Sequence, residues 1–398
     1  MKIKPQTLLL FLETIRLMIF SGLVVLLLLL LTRLINFGAF DLYRLAFKEF
    51  SFLDTFYAQR MYSKSQLTVN NNINLVNVGH LKRYEIAELI EKIHKQKPKV
   101  IGVDVIFDHS KKDRVDKKLW SALQHENVIG VFAFQNETIS KNHAVLDVFR
   151  DKLGYANFNF DYYNSVIRSF LAIKTFNDNE YQSFGLKVAQ KFVGDEKKLS
   201  WRKMDKKSIP INYSGGLEHY NIVEPDTIFA KTELRELKDK IVLLGYMGTP
   251  TGNLYDIEDK HFTPLNQEFL GKSSPDTFGI VIHANIIEML INDKRHWVVP
   301  MGLVWSFGLV ITFFVLSYFI KLNKKHLSSY IFTRKLLQLG FTIIFIGLSL
   351  WLLSKNIYFK ITALIWYIVL SLQCVWAYKL LINYLHKKYK WKSYFFQS

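Results

Sequence analysis

Four long apolar runs with almost purely basic flanks constrain this chain more than anything else in it. They lie at its two ends, at about residues 17–37, 298–320, 337–353 and 361–381. A helix crosses a bilayer with about 20 largely apolar residues, and these runs are of that order. Residues 36–297 hold 36 basic and 33 acidic side chains, whereas the other 136 residues hold 16 basic and one acidic, Glu13. Most of the net charge of +18 therefore sits beside the apolar runs. Apolar runs edged by Lys and Arg describe membrane segments with cytoplasmic flanks. The pattern excludes a soluble cytoplasmic enzyme. It also excludes a nucleic-acid binder, because the middle of the chain is nearly neutral.

Orientation follows from the connections. Residues 321–335 carry Lys321, Lys324, Lys325, Arg334 and Lys335 and no acid, and the tail carries Lys387, Lys388, Lys390 and Lys392. The N-terminus carries Lys2, Lys4 and Arg16, while 354–360 hold only Lys355 and Lys360. The positive-inside rule then predicts cytoplasmic termini and an extracytoplasmic domain over 38–297 of a bacterial inner-membrane protein. The first run is expected to be an uncleaved anchor, since no A-x-A-like site follows it. The expected divisions are 1–37, 38–297, three spans over 298–383 and a short basic tail over 384–398. The single cysteine, Cys374, lies within the last run, which excludes an intrachain disulfide and a paired-Cys zinc site.

Between the apolar ends, strand and helix patterns alternate. Residues 73–78 (INLVNV) predict a strand, and 84–95 carry Ile86, Leu89, Ile90 and Ile93 at helical spacing. Residues 99–107 (KVIGVDVIF) read as a strand apolar on both faces, as in a parallel sheet covered by helices. Further strands are expected at 127–134, 155–161, 167–172, 209–213 and 240–244. Further helices are expected at about 43–57, 113–124, 183–193, 227–237 and 278–290. Asn70–Asn72 and the charged stretch 197–207 read as loops. Residues 245–277 show little periodicity, and structureless loops that long are uncommon unless functional or disordered. The fold class is α/β: an extracytoplasmic domain with a mainly parallel sheet flanked by helices, plus four transmembrane helices, one N-terminal and three C-terminal.

Five blocks recur in a telling order. They are KVIGVDVIF at 99–107 with NVIGVFAF at 127–134, IPINYSGG at 209–216, KDKIVLLGYMGTP at 238–250, Asp256 with HFTPL at 261–265, and IHANIIEMLI at 282–291. Together with one anchor before the domain and three spans after it, they resemble the type-two CHASE domain, the cyclase/histidine-kinase-associated sensory extracellular domain. The resemblance implies an extracytoplasmic sensor. Two features depart from it. The first strand ends in INLVNVGH, with His80 where the family usually has an acidic residue, and only Arg83 remains from the turn that follows. About 15 residues follow the last span where the family usually continues into a cyclase or kinase. The expected protein therefore signals through a separate partner.

Asp104 follows the apolar strand start IGVD, and ligands of parallel sheets gather outside the carboxyl ends of strands; Asp104 is a candidate to point into such a crevice or, with Asp108, to hold a ligand or a cation, and it also reads as an Asp bonding a neighbouring loop. Gly245 and Gly248 follow KIVLL and open the backbone to an anion, or make a tight turn. No Lys-Ser/Thr follows, so this is not a P-loop. Asp256, Asp259, His261 and Thr263 cluster in the long loop, and His283 and Asn285 begin the next helix. That set suits a polar ligand or a divalent metal, or loop-anchoring hydrogen bonds. No G-x-S-x-G elbow is present and the cysteine is in an apolar run, so no catalytic residue, cofactor or bound metal is expected. The leading expectation is a sensor that receives a small ligand or protein cue outside, with the lipid membrane and an unidentified cytoplasmic or membrane effector as partners. The alternative is a structural or assembly subunit of an envelope complex that binds other proteins. A third reading, a metal-dependent hydrolase, rests on Asp256, His261 and His283 alone.

Overall fold

The computed structural model describes residues 5–34, 51–62, 68–108, 113–135, 138–140, 152–158, 166–194, 207–266, 274–324 and 330–396. The chain forms two compact units: Lys48–His296, and Met1–Phe47 with Trp297–Ser398. The helices are α1 (Pro5–Leu34), α2 (Phe52–Tyr62), α3 (Arg83–Lys95), α4 (Asp113–Leu123), α5 (Phe184–Val193), α6 (Pro225–Ala230), α7 (Gly279–Ile291), α8 (Met301–Lys324), α9 (Tyr330–Ser354) and α10 (Thr362–Tyr389).

The first unit is built on one sheet. Its strands are β1 (Asn70–Asn77), β2 (Val100–Val103), β3 (Val128–Gln135), β4 (Thr138–Ser140), β5 (Leu153–Tyr155), β6 (Tyr220–Ile222) and β7 (Ile241–Gly245). The order is β6-β1-β7-β2-β3, with β4 and β5 both pairing β3. Six strands are parallel and β4 alone runs antiparallel. Every residue of β2 and β7 is buried, as strands covered on both faces require. Val76, Ile101, Val103, Val242 and Leu244 pack on one face with Ile86, Leu89, Ile90 and Ile93 of α3, with Leu119 of α4 and with Ile228 of α6. The alternate residues face α5 and α7, because side chains along a strand alternate between faces. A Cβ on Gly102 would meet the Phe184 ring at 2.8 Å, and one on Gly245 would meet Ile280 Cβ at 2.7 Å. Both glycines therefore serve close strand–helix approach.

Local chemistry explains the helix limits. The Glu85 carboxylate accepts from Lys82 N at 2.7 Å, while Lys92, His94 and Lys95 occupy the last turn of α3 and complement its dipole. Ser183 caps α5 by accepting from Leu186 N at 3.3 Å. Helix α7 is buried along its whole length, so its apolar character runs all round.

The structure departs from the sequence expectation in several places, among them the strands expected over 155–161 and 209–213, which end at Tyr155 and Pro210. The strand expected over 99–107 stops at Val103; Asp104 N still donates to Leu244 O at 2.8 Å, but the chain then leaves the ladder. Asn70–Asn72 opens β1 instead of forming a loop. Its register against β6 slips between Asn70 and Asn74, and Asn70 Oδ1 accepts from Asn72 N and Ile73 N at 2.8 and 3.0 Å. The extra residues thus form a bulge closed by an Asn side chain. In place of a strand over 167–172 there is a short pairing of Ser169–Phe170 with Ile209–Pro210 and a hairpin of Ile173–Phe176 with Asn179–Gln182. Asn177 and Asp178 turn that hairpin with φ of 47° and 60°, as a type I′ turn needs. The helix expected over 227–237 splits into α6 and a single 3-10 turn, Arg235–Leu237. Of the expected 43–57 helix and 197–207 loop, residues 43–50 and 197–206 lie outside the described residues.

The second unit contains α1, α8, α9 and α10, four helices long and apolar enough to cross a membrane. Helix α1 starts at Pro5, earlier than the apolar run at 17–37 suggests. The acid that interrupts it, Glu13, is fully buried; it accepts from Tyr378 OH at 2.6 Å and from Tyr394 N at 3.0 Å. A partnered carboxylate no longer breaks an apolar helix.

Within the first unit, α2 is tied to the last residues before the membrane segments. Asp54 forms a bidentate pair with Arg168 at 2.8 and 2.7 Å, both partners largely buried. Tyr57 OH lies 2.7 Å from His296 Nε2 and donates to Asn212 Oδ1 at 3.0 Å. Burial raises the Asp54 carboxyl even against the pull of Arg168. Removing one partner strands a buried charge, so Arg168→Met is expected to cost about 3–5 kcal/mol, and Asp54→Leu with Arg168→Met to recover most of it. Thermal unfolding of the full chain in detergent would measure both.

Candidate functional site

Three polar side chains interrupt the apolar helix α7: His283, Asn285 and Glu288, all buried. A buried polar group costs free energy unless it is hydrogen-bonded. Asn285 Oδ1 accepts from Ser214 N at 2.7 Å and Gly215 N at 3.3 Å, and its Nδ2 donates to Gly215 O and Val281 O, each at 2.9 Å. It ties α7 to the glycine turn of the 209–216 block. Glu288 Oε2 accepts from Tyr220 OH at 3.1 Å and lies 3.0 Å from His219 Nε2. Burial pushes the Glu288 carboxyl up, but the hydrogen bond and charge of His219 prevail and hold it below the ordinary range. The same burial, with Glu288 beside it, drives the Tyr220 hydroxyl well above its usual value.

His283 is partnered differently. Its Nε2 stands 3.8 Å from Asp104 Oδ2, too far for a hydrogen bond. Its Nδ1 has no hydrogen-bond partner among the described residues. The ring packs against Phe158 at 4.6 Å and the edge of Phe184 at 5.1 Å. Burial lowers the imidazole to about 3, His261 adds to the shift, and the main chain of Ala156 opposes it. Asp104 follows the last residue of β2, and its side chain is 14% exposed. Burial raises its carboxyl to about 8, with Asp259 adding to the effect. Asp259 Oδ1 in turn lies 3.6 Å from His261 Nε2, and Phe158 packs against the His261 ring at 5.2 Å. Asp104, Asp259, His261, His283 and Phe158 therefore meet at one place, outside the carboxyl end of a central parallel strand. Near neutral pH the centre of that group is an uncharged acid beside an uncharged imidazole, able to donate and accept hydrogen bonds to a polar ligand.

The other expected site residues lie elsewhere or are committed to structure. Asp108 is exposed. Gly245 ends β7 under Ile280, and Gly248 has φ +87° in the turn beyond it. Met247 N and Thr249 N, which an anion there would use, already donate to Asn77 Oδ1 at 2.9 Å and Asp256 Oδ2 at 3.2 Å. Asp256 accepts from Tyr246 OH at 2.5 Å and from Glu258 N at 3.0 Å, so it organises its own loop and does not join His261 and His283. Thr263 bonds Thr277 Oγ1 at 2.9 Å and Asp276 Oδ2 at 3.2 Å. Burial raises Asp276 to about 6. Among the described residues, no group of three or more His, Cys, Asp or Glu stands where it could hold a metal ion. Sequence reasoning missed Asn77, Phe158, His219 and Glu288. Glu288 alone left a signal, a carboxylate inside an apolar helical run.

The family model described as the CHASE2 domain matches residues 23–320. The chain belongs to the CHASE2 domain family. It is a family of sensory extracellular domains, and the match takes in the whole first unit. No curated protein and no solved structure matches the chain. In this CHASE2 domain the order of blocks has a spatial result: the strand-end Asp104 and the helix His283 come within 3.8 Å of each other.

The two shifts give a pH signature. A buried acid raised to about 8 favours the folded state in its protonated form, so its contribution falls as pH rises from about 4 to 8. The lowered His283 acts in the opposite sense, weakening the fold as pH falls from about 6.5 to 3. Between about pH 6.5 and 8 only the Asp104 effect remains. Stability of the full chain is expected to decline there by up to ~1.4 kcal/mol per pH unit, and Asp104→Asn to flatten that limb. Unfolding midpoints across this range, wild type against variant, would show it.

Proposed function

We propose that this chain is a membrane-anchored sensor whose first unit lies outside the cell and binds a polar cue at the Asp104–His283 crevice. It binds and does not catalyse. The cue acts by favouring one conformer of the domain over another, since a ligand with equal affinity for both shifts nothing. The crevice carries the reading: a strand-end carboxyl and a buried imidazole that face one another without a hydrogen bond. The response leaves the domain through α2 and His296, which Tyr57 joins at the chain's exits to the membrane segments. A separate cytoplasmic or membrane effector receives it. The basic flanks of the spans support cytoplasmic termini in a bacterial inner-membrane protein.

An assembly role is the second reading. It is favoured by one observation, an apolar loop tip held in solvent at Leu254, Tyr255 and Ile257.

Two measurements test the leading reading. In a Cys374→Ser background, Lys238→Cys is expected to react with an impermeant maleimide on intact spheroplasts, and Lys392→Cys only after lysis. The reverse pattern would sink the topology. A small-molecule screen by thermal shift is expected to yield a ligand that raises the melting temperature of wild type and not of Asp104→Ala. A ligand unaffected by that substitution would move the site away from the crevice.

A further inference from the structure

The long loop between β7 and α7 has a property that the sensory reading leaves unused. Leu254, Tyr255 and Ile257 are 83%, 93% and 67% exposed. Elsewhere in the first unit, the large apolar side chains that the described residues leave exposed are Val69 and Tyr84. Three of five thus fall within four consecutive residues.

The loop is held in shape by polar bonds. Asp256 receives Tyr246 OH, Thr249 N and Glu258 N. Asn253 Oδ1 accepts from Tyr255 N at 3.0 Å. Lys260 Nζ donates to Asn253 O at 2.8 Å and Leu254 O at 3.2 Å. From the strand side, Asn77 Nδ2 holds Gly248 O and Thr251 Oγ1, each at 2.8 Å. The polar groups turn inward and the apolar ones outward. Water contact with that tip is unfavourable and is relieved when another apolar surface covers it. Because the loop is already ordered, little conformational freedom is lost on binding.

Charge identifies the occupant. Exposed Glu258 and Asp259 adjoin the tip, and exposed Glu224 accepts from the loop's Thr251 Oγ1 at 3.1 Å. Lys260 is turned onto its carbonyls and the Phe278 ring, 4.8 Å away. The apolar tip therefore has an acidic rim. Two copies meeting tip to tip would oppose like charges, and an anionic lipid surface is repelled in the same way.

We propose that residues 254–257 are a docking surface for a second protein, whose contacting segment presents apolar side chains flanked by Lys or Arg. This concerns binding alone and holds whether or not the crevice takes a ligand.

Photo-crosslinking of the full chain, in the cells that make it, tests this. Tyr255→benzoylphenylalanine is expected to give one discrete protein adduct, whose linked peptide, read by mass spectrometry, is apolar with basic flanks. Its yield is expected to fall about fivefold or more with Glu258→Lys, and with Leu254→Ser, at an unchanged melting temperature. Four outcomes would overturn the proposal. They are an adduct with a second copy of this chain or with lipid, a linked segment without basic flanks, a yield indifferent to charge reversal, or no adduct beyond that from the exposed control Lys238→benzoylphenylalanine.

Discussion

The first unit depends on one buried helix. Helix α7 has no solvent-facing side, so every polar atom on it must find a partner inside the protein or carry the cost of desolvation. Two of its polar residues meet that demand by fixing their surroundings. Asn285 saturates itself on the Ser214–Gly215 turn, and Glu288 gathers His219 and Tyr220 from the start of the edge strand β6. The apolar residues of the same helix set the sheet distance, close enough at Ile280 that β7 must end in glycine. Of the polar residues on α7, His283 is the one with a ring nitrogen left without a hydrogen bond among the described residues, as the Nδ1 atom of His219 is elsewhere in the unit.

Fold and candidate site are therefore consequences of the same packing. The helix brings an imidazole to the carboxyl end of β2, and the sheet supplies a carboxyl there that burial keeps protonated to about pH 8. Neither group would be unusual alone. Together they are a desolvated donor–acceptor pair, of the kind that perturbed groups form at functional sites. Asp259 and His261 couple this pair to the loop that carries the apolar tip, since Gly279 N, at the head of α7, donates to Asp259 O at 2.9 Å. Events on the loop and events in the crevice thus bear on the same helix.

Much of this architecture was legible in the residue pattern. The helices at 84–95, 113–124, 183–193 and 278–290 appeared within a residue or so of expectation, because an apolar stripe at helical spacing is a local signal. The strand 240–244 and the strand beginning INLV appeared for the same reason. The pattern failed where tertiary demands override it. KVIGVDVIF reads as one strand, yet the ladder releases it at Asp104, where the β7 partner strand ends its pairing. The Asn run reads as a loop, yet the Asn70 side chain closes a bulge there. The first apolar run begins at about residue 17, yet α1 extends back through Glu13, which Tyr378 and Tyr394 satisfy.

Sequence alone determined which segments are apolar enough to span a membrane, where strands and helices alternate, and that Asp104, His261 and His283 are candidate site residues. These follow from composition and spacing, which act between near neighbours. Only the tertiary structure decided which polar residues meet. Asp256 reads like Asp104, but the first is spent on a turn and the second faces a histidine far along the chain. That difference comes from burial and from distances across the sheet, quantities that no short window of sequence contains.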